Sequence, residues 1–286
     1  MPAEQWQSGT ESDRIAPLAV QGEVERTTVA YKISEQRDVP LLLQVRNSTF
    51  ISHDQLMEYA LESGLEKSRR SFNWRMNRFL DGRLVTSVGR VLPYTGQVYT
   101  ITRQGLSLLE TFGEGLVSIS SGSETLANRL QAPHFLELIE IRRSFLKAGV
   151  LQHWQPDRVL SSLNYVLGSP LAKDYDALAE IHWATKSLRI AVEYERTLKT
   201  SARYQEIAKG IRDEDQVSAI MYLTPTPDLV FTLSAEFKRP ELPMMFTASR
   251  RFRASGLATS VMFCYGTMRQ SMSVQEALEV IAGVAE

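Results

Sequence analysis

The sequence predicts a mixed chain of two units, a helix-rich α+β unit followed by an α/β unit. Three observations lead there. Apolar residues recur at helical spacing between Ser52 and Leu80, and a short alternating hairpin follows. Glycine and serine then accumulate in "TFGEGLVSISSGSE", Thr111 to Glu124, as in a linker. Beyond it, helical and strand-like segments interleave, the order of an α/β domain. A length of 286 residues suits about two domains of roughly 100–200 residues each.

Residues 1–36 are polar, with Arg14, Arg26 and Lys32 set against six acidic residues, and read as a mobile tail. The first unit spans 37–111. "VPLLLQVRN" opens it. "SHDQLMEYALES" is a helix with Ser52 as N-cap and Leu56, Met57, Ala60 and Leu61 on one face. "EKSRRSFNWRMNRFLDGR" is the next helix, with Phe72, Met76, Phe79 and Leu80 on one side and Gly82 at its end. "LVTSVGRVL", "PYTG" and "QVYTIT" form a hairpin, and Thr102 caps a last helix, "RQGLSLLE". Helix, helix, helix, ribbon, helix is the winged helix-turn-helix order.

A linker covers 112–132, and the second unit runs over 133–286. "HFLELIEIRRSFLKAG" reads as an amphipathic helix closed by Gly149. "YDALAEIHW" and "LRIAVEYE" alternate and form a second hairpin. "RTLKTSARYQEIAKGI" is a helix, "QVSAIMYLT" a strand, and "TPDLVFTLSAEF" a helix with Pro227 at its start. "LPMMFTAS" and "TSVMFCYG" are strands, and "SVQEALEVIAGV" closes the chain as a helix.

A formal net charge of −1 leaves any nucleic-acid footprint to local patches. One cysteine, Cys264, excludes an internal disulfide or a thiolate zinc site. The start of the chain has no basic, then apolar, secretory pattern, and no run reaches the ~18–20 apolar residues of a span. The expectation is a soluble cytoplasmic protein without membrane contact. No glycine-rich phosphate loop is present, so no nucleotide cofactor is expected. No "GxSxG" supports a serine hydrolase. His53, His134, His153 and His182 have no metal-ligand spacing and are assigned to structure or surface.

From Gly64 to Arg90 seven basic residues face two acidic ones, a net of +5. With Phe72, Met76 and Phe79 turned inward, the opposite helix face carries Arg70, Asn73, Trp74, Asn77 and Arg78. Arginine and asparagine pair bidentately with guanine and adenine edges in a major groove. Arg75 and Arg83 suit phosphate contact, which positions without reading sequence, and Lys67 and Arg69 complete the basic DNA-binding set. Arg90 is placed near the middle of the ribbon's first strand and Tyr94 at its tip, where a basic ribbon reaches the backbone or minor groove. The expected partner is double-stranded DNA; a protein-contacting winged helix is the alternative.

In the second hairpin, alternation puts Asp176 on the face that carries Glu193 and Glu195, once Thr185 and Lys186 form an even-length turn. Carboxylates this close are tolerated if solvent screens them, one is protonated, or a cation lies between them. "YDALAEI…LRIAVEYERTLKTSARYQEI" resembles the core of the restriction-endonuclease-like superfamily, whose PD-(D/E)xK motif sets an aspartate on one strand and a carboxylate-x-lysine on the next. Asp176 matches the first acid and Glu193 the second. Glu195 stands in the lysine's place, and Lys199 is a candidate migrated lysine. "PD" is absent at Asp176, which Tyr175 precedes; PD pairs stand instead at Pro156–Asp157 and Pro227–Asp228.

Over about residues 38–265 the element order also resembles the replication-relaxation family of plasmids and mobile elements, which carries a segment much like "EYERTLKTSARY". That resemblance implies a sequence-specific DNA-binding regulator of transcription or replication, with a non-catalytic nuclease-like second domain serving dimerisation as a homodimer, further DNA contact or control. No cofactor is expected of it. The alternative it implies is a magnesium-dependent nuclease, with Asp176 and Glu193 as metal ligands and Glu195 and Lys199 completing the site. The plain reading of Glu193 and Glu195 is a solvated strand end with Arg196, Lys199 and Arg203 as ion-pair partners.

Overall fold

Two β-sheets organise the chain in a computed structural model that describes residues 32–94, 96–115, 128–168 and 171–283. The N-terminal part runs α1 (Asp38–Ser48), β1 (Ile51–Ser52), α2 (His53–Glu62), α3 (Arg69–Asp81), β2 (Val85–Gly89), β3 (Val98–Ile101) and α4 (Arg103–Thr111). Its three strands form a small sheet in the order β1-β3-β2. Most of the expected tail over 1–36, and residues 116–127 of the expected linker, lie outside the described residues.

Local signals set these boundaries. Ser52 closes a capping box with Gln55, its hydroxyl accepting from the Gln55 amide and its own amide donating to the Gln55 side chain. Ser68 caps α3 and Thr102 caps α4, each accepting from the amide three residues on. Leu41, Leu42, Val45, Leu56, Ala60, Phe72, Met76, Phe79 and Leu109 fill the interior. Gly105 lets α4 approach the ribbon: an added Cβ would lie 2.2 Å from the Leu84 carbonyl oxygen.

The C-terminal part begins with a 3₁₀ turn (Asn128–Gln131) and α5 (Ala132–Lys147). It continues through β4 (Leu151–Pro156), α6 (Asp157–Leu167), β5 (Ala177–Trp183), β6 (Lys186–Tyr194), α7 (Ser201–Gly210), β7 (Ala219–Thr224) and α8 (Pro227–Glu236). β8 (Met244–Ala248), α9 (Ser249–Ser255), β9 (Ser260–Tyr265), β10 (Met268–Ser273) and α10 (Val274–Ala282) complete it. The seven strands form one mixed sheet in the order β10-β9-β8-β7-β6-β5-β4. β6, β7 and β8 are parallel neighbours; the other pairs are antiparallel.

The sheet is covered on both faces. Ala177, Ala179, Ile190, Val192, Met221 and Leu223 pack towards α5, α9 and α10. Leu178, Ala191, Ile220, Tyr222 and Phe246 pack towards α6, α7 and α8. Period-2 alternation therefore divides two cores rather than core from water. β4, α6, α9 and β10 add elements that the apolar pattern did not single out. β4 and β10 are sheet edges with mostly polar side chains, so they lack the strong apolar run of the inner strands.

The N-terminal and C-terminal parts share one core. Phe50, Val88, Val91 and Val98 join the cluster built on α5, with Phe50 and Phe135 ring centroids 5.9 Å apart. Gln55 Nε2 donates to the Leu136 carbonyl at 2.9 Å and to Glu140 Oε1 at 2.8 Å. Arg143 pairs with Glu58 at 2.5 Å.

Candidate functional site

The most basic surface of the N-terminal part is α3 and its flanks. Lys67, Arg69, Arg70, Asn73, Trp74 and Asn77 are exposed, while Phe72, Met76 and Phe79 are buried on the opposite side. Arg78 is half-buried, its guanidinium 4.3 Å from the centre of the Trp74 ring. That stacking orients both side chains. Arg69 Nη2 lies 3.2 Å from Asp54 Oδ1, a pairing of two exposed groups.

His53, at the first position of α2, holds Asn73. Its Nε2 is 3.0 Å from Asn73 Oδ1 and its Nδ1 is 3.0 Å from the Tyr99 hydroxyl. The consistent assignment has Nε2–H donating to Asn73 and Tyr99 O–H donating to Nδ1. Asn73 then keeps its amide donors outward while its carbonyl oxygen is occupied. Bidentate pairing with adenine, which needs both, falls to Asn77 in this arrangement.

One of the expected phosphate contacts sits elsewhere. Arg75 is buried, Nε donating to Glu66 Oε1 and Nη1 to Asp38 Oδ1. Arg37 Nη2 reaches the other Glu66 oxygen at 3.0 Å. Burial opposes charge on Arg75, but the hydrogen bonds and charges of Glu66 and Asp38 outweigh it and raise its pKa. Arg75 locks the start of α1 to α3 instead of facing solvent; one helical turn on from Phe72, its position belongs to the apolar side. Arg90 is exposed but follows the end of β2 rather than sitting mid-strand. Arg83 is exposed just after α3, with φ +52°. The ribbon tip is fastened rather than projecting: Tyr94 donates to Glu137 Oε2 on α5 at 2.7 Å.

A second site lies where β5 begins and β6 ends. Ala177 pairs with Val192, which sets Asp176 across from Glu193 on one face, and Ala184–Thr185 form the two-residue turn. Asp176 Oδ1 lies 3.2 Å from His134 Nε2, and Oδ2 accepts from the Tyr194 amide at 2.7 Å. Glu193 is buried. Lys173 Nζ approaches its Oε1 to 2.7 Å, an ion contact outside hydrogen-bond geometry, so Oε1 lacks a hydrogen bond. The Tyr222 hydroxyl, on the residue paired with Glu193 in β7, is likewise buried without a hydrogen-bond partner among the described residues. Glu195 is buried against Lys199 Nζ.

The electrostatics follow from burial and from these pairings. Burial pushes the Glu193 carboxyl up to about 7; Lys173 opposes this and Asp176 adds to it. Burial also acts on Asp176, but the His134 hydrogen bond and charge, with the Tyr194 amide, bring it below its ordinary value. His134 is raised, Asp176 overcoming the burial that lowers it. Asp157, whose amide donates to the Asp176 carbonyl at 2.9 Å, is raised to about 6 by burial. A cleft of about 120 Å³ opens onto Asp157 and Asp176 between α1, α5 and β4, with Arg142 in its wall.

The fold thus brings Asp176 and Glu193 together as spaced, and adds His134, Asp157 and Lys173. None of the three carries a local signal: the histidines lack metal-ligand spacing, the Pro156–Asp157 pair stands well before Asp176 in the chain, and Lys173 lies outside the alternating hairpin. Lys199 reaches Glu195, whereas Lys173 is the cation on Glu193. The solvated-end reading fails for both glutamates, which are buried. Arg203 pairs with Glu206 at 2.8 Å, and Arg196 Nη1 donates to the Leu130 carbonyl at 3.2 Å.

The donor set does not fit a magnesium ion. Both Asp176 oxygens are engaged, Glu193 faces an ammonium, and among the described residues no three His, Cys, Asp or Glu side chains converge on a cation position. The carboxylates are balanced by His134, Lys173 and Lys199. Compared with known protein families, curated proteins and solved structures, the chain finds no significant match. Among the described residues, no helix is long and apolar enough to cross a membrane.

Proposed function

We propose that this chain is a sequence-specific double-stranded DNA-binding protein that regulates transcription or replication, with α3 as its reading helix in a winged helix-turn-helix unit. The observation that carries this reading is the α3 surface: Arg70, Asn73, Trp74 and Asn77 exposed in a row, flanked by Lys67, Arg69 and Arg83. A helix of 13 residues is about 20 Å long and enters a major groove about 12 Å wide. Arg70 and Asn77 would read base edges. Lys67, Arg69 and Arg83 would hold phosphates, with Arg78 ordered by Trp74. The C-terminal sheet, under this reading, is a non-catalytic support in a nuclease-like arrangement, and its acids are structural ion pairs. Assignment to a plasmid or integrative element rests only on the resemblance in element order over about residues 38–265 and in the segment Glu193–Tyr204.

The test is selection of bound duplexes from a random pool, then titration of the parent and of Arg70→Ala and Asn77→Ala on the selected site. Each substitution should weaken specific binding by roughly 1–3 kcal/mol and relax preference at one base position. An α3 double variant that selects the same site with the same affinity sinks the assignment.

A further inference from the structure

We propose that the DNA-backbone surface continues beyond the ribbon onto the C-terminal part, as a strip formed by Arg90, Arg129, Arg196 and Arg253. This rests on the DNA-binding reading above and extends its footprint. The four arginines come from four separate segments: the end of β2, the 3₁₀ turn before α5, the end of β6, and α9.

Direct contacts join them in a chain. Arg129 Nη2 donates to the Arg90 carbonyl at 2.8 Å. The next residue, Leu130, accepts from Arg196 Nη1 at 3.2 Å. Arg196 follows Tyr194 by two residues, and both Arg196 and Arg253 counter the rise that burial and Glu137 impose on the Tyr194 hydroxyl. Arg253 Nη1 is 3.3 Å from Glu137 Oε2, the oxygen that also takes the Tyr94 hydroxyl.

The charge balance of this surface asks for an anion. Arg90, Arg129 and Arg196 are exposed, and among the described residues none has a carboxylate within ion-pair distance. Glu137 is the acid that faces the group, and Tyr94 and Arg253 share one of its oxygens. Like charges gathered without counter-charge repel. A guanidinium has five N–H donors, so one bond to a backbone carbonyl orients Arg129 and Arg196 while most donors still point outward. Fixed, outward-facing guanidiniums suit phosphate oxygens.

Placement ties the strip to α3. β2 leads from Arg83, just past α3, to Arg90; its five residues span about 17 Å. Because Tyr94 fastens the ribbon to α5 and Arg129 bonds the Arg90 carbonyl, the ribbon and the C-terminal arginines are held in one continuous run of contacts. That continuity favours a duplex already engaged by α3 over an unrelated anion.

The experiment compares the parent with Arg129→Ala/Arg196→Ala and Arg129→Lys/Arg196→Lys on the selected duplex and on a scrambled one, across a salt series. The alanine pair should lower affinity roughly 10- to 100-fold on both duplexes and reduce the slope of log K against log salt by about 2. The lysine pair, which keeps the charge, should retain most of the slope. Unchanged affinity and slope in the alanine pair, with Arg70→Ala still impaired, overturns the strip and leaves the α3 reading intact. A parent that binds no duplex at low salt overturns both.

Discussion

Tyr94 and Glu137 fasten the tip of the β2–β3 ribbon to α5, hydroxyl to carboxylate, at 2.7 Å. Burial first, and the Glu137 charge next, push the Tyr94 phenol far up, so it remains a donor throughout the accessible pH range. Tyr94→Phe leaves Glu137 with Arg253 but removes the fastening. It should cost about 1–2 kcal/mol in denaturant unfolding and lower hydrogen-exchange protection in β2 and β3. Unchanged protection there would mean that the ribbon is held by Val88, Val91 and Val98 alone.

Arg75 separates stability from binding. Arg75→Met leaves Asp38 and Glu66 buried, with Arg37 reaching only Glu66. Loss of about 3–5 kcal/mol is expected by equilibrium unfolding. If α3 reads DNA as proposed and the variant stays folded in a stabilising buffer, its DNA affinity and salt dependence should equal those of the parent. A reduced salt slope would return Arg75 to the phosphate contacts.

Glu193 predicts a pH dependence whose sign follows from its raised carboxyl. Between the ordinary carboxylate range and about pH 7, the folded state binds more protons at this position than the unfolded chain. Its contribution therefore falls as pH rises through that window. Glu193→Gln removes the effect, so its melting temperature relative to the parent should increase from pH 5 to pH 8. His134 adds in the same direction above its ordinary range, and Asp176 acts oppositely in acid. A parent-minus-variant difference that stays constant with pH would refute the assignment.

Gly105 predicts a steric effect. An added methyl would lie 2.2 Å from the Leu84 carbonyl and 2.8 Å from Ile101 Cδ1. Gly105→Ala should destabilise by roughly 1–3 kcal/mol as α4 shifts away from the ribbon. Gly64→Ala has open space around the new methyl but a backbone φ of +68°, so its cost would be conformational, near 1 kcal/mol.

His53 gives a prediction that depends on α3 reading DNA. His53→Ala releases Asn73 while leaving every exposed cation in place. Specific binding should fall by about 1 kcal/mol, while binding to scrambled DNA at low salt stays unchanged. A parallel loss on both duplexes would assign His53 to folding alone.

Much of this molecule follows from short-range chemistry. Ser52, Ser68 and Thr102 announce helix starts because a hydroxyl three residues before an amide can cap it. The 3.6 spacing of Phe72, Met76 and Phe79 is enough to say which face of α3 turns inward. Alternation in β5 and β6 similarly placed Asp176 with Glu193, since register follows from a two-residue turn. What tertiary structure alone decided is which charges meet. Arg75 joined Asp38 and Glu66 across 37 and 9 residues, Lys173 displaced Lys199 as the cation on Glu193, and His134 reached Asp176 across 42. It also buried Glu193 and Glu195, because helices cover both faces of the sheet and leave no solvent side. Helix caps and periodicity act within a few residues, so the chain spells them out. Ion pairing and desolvation depend on distances set only when remote segments pack, so the same residue types read as surface in the sequence and as interior in the fold.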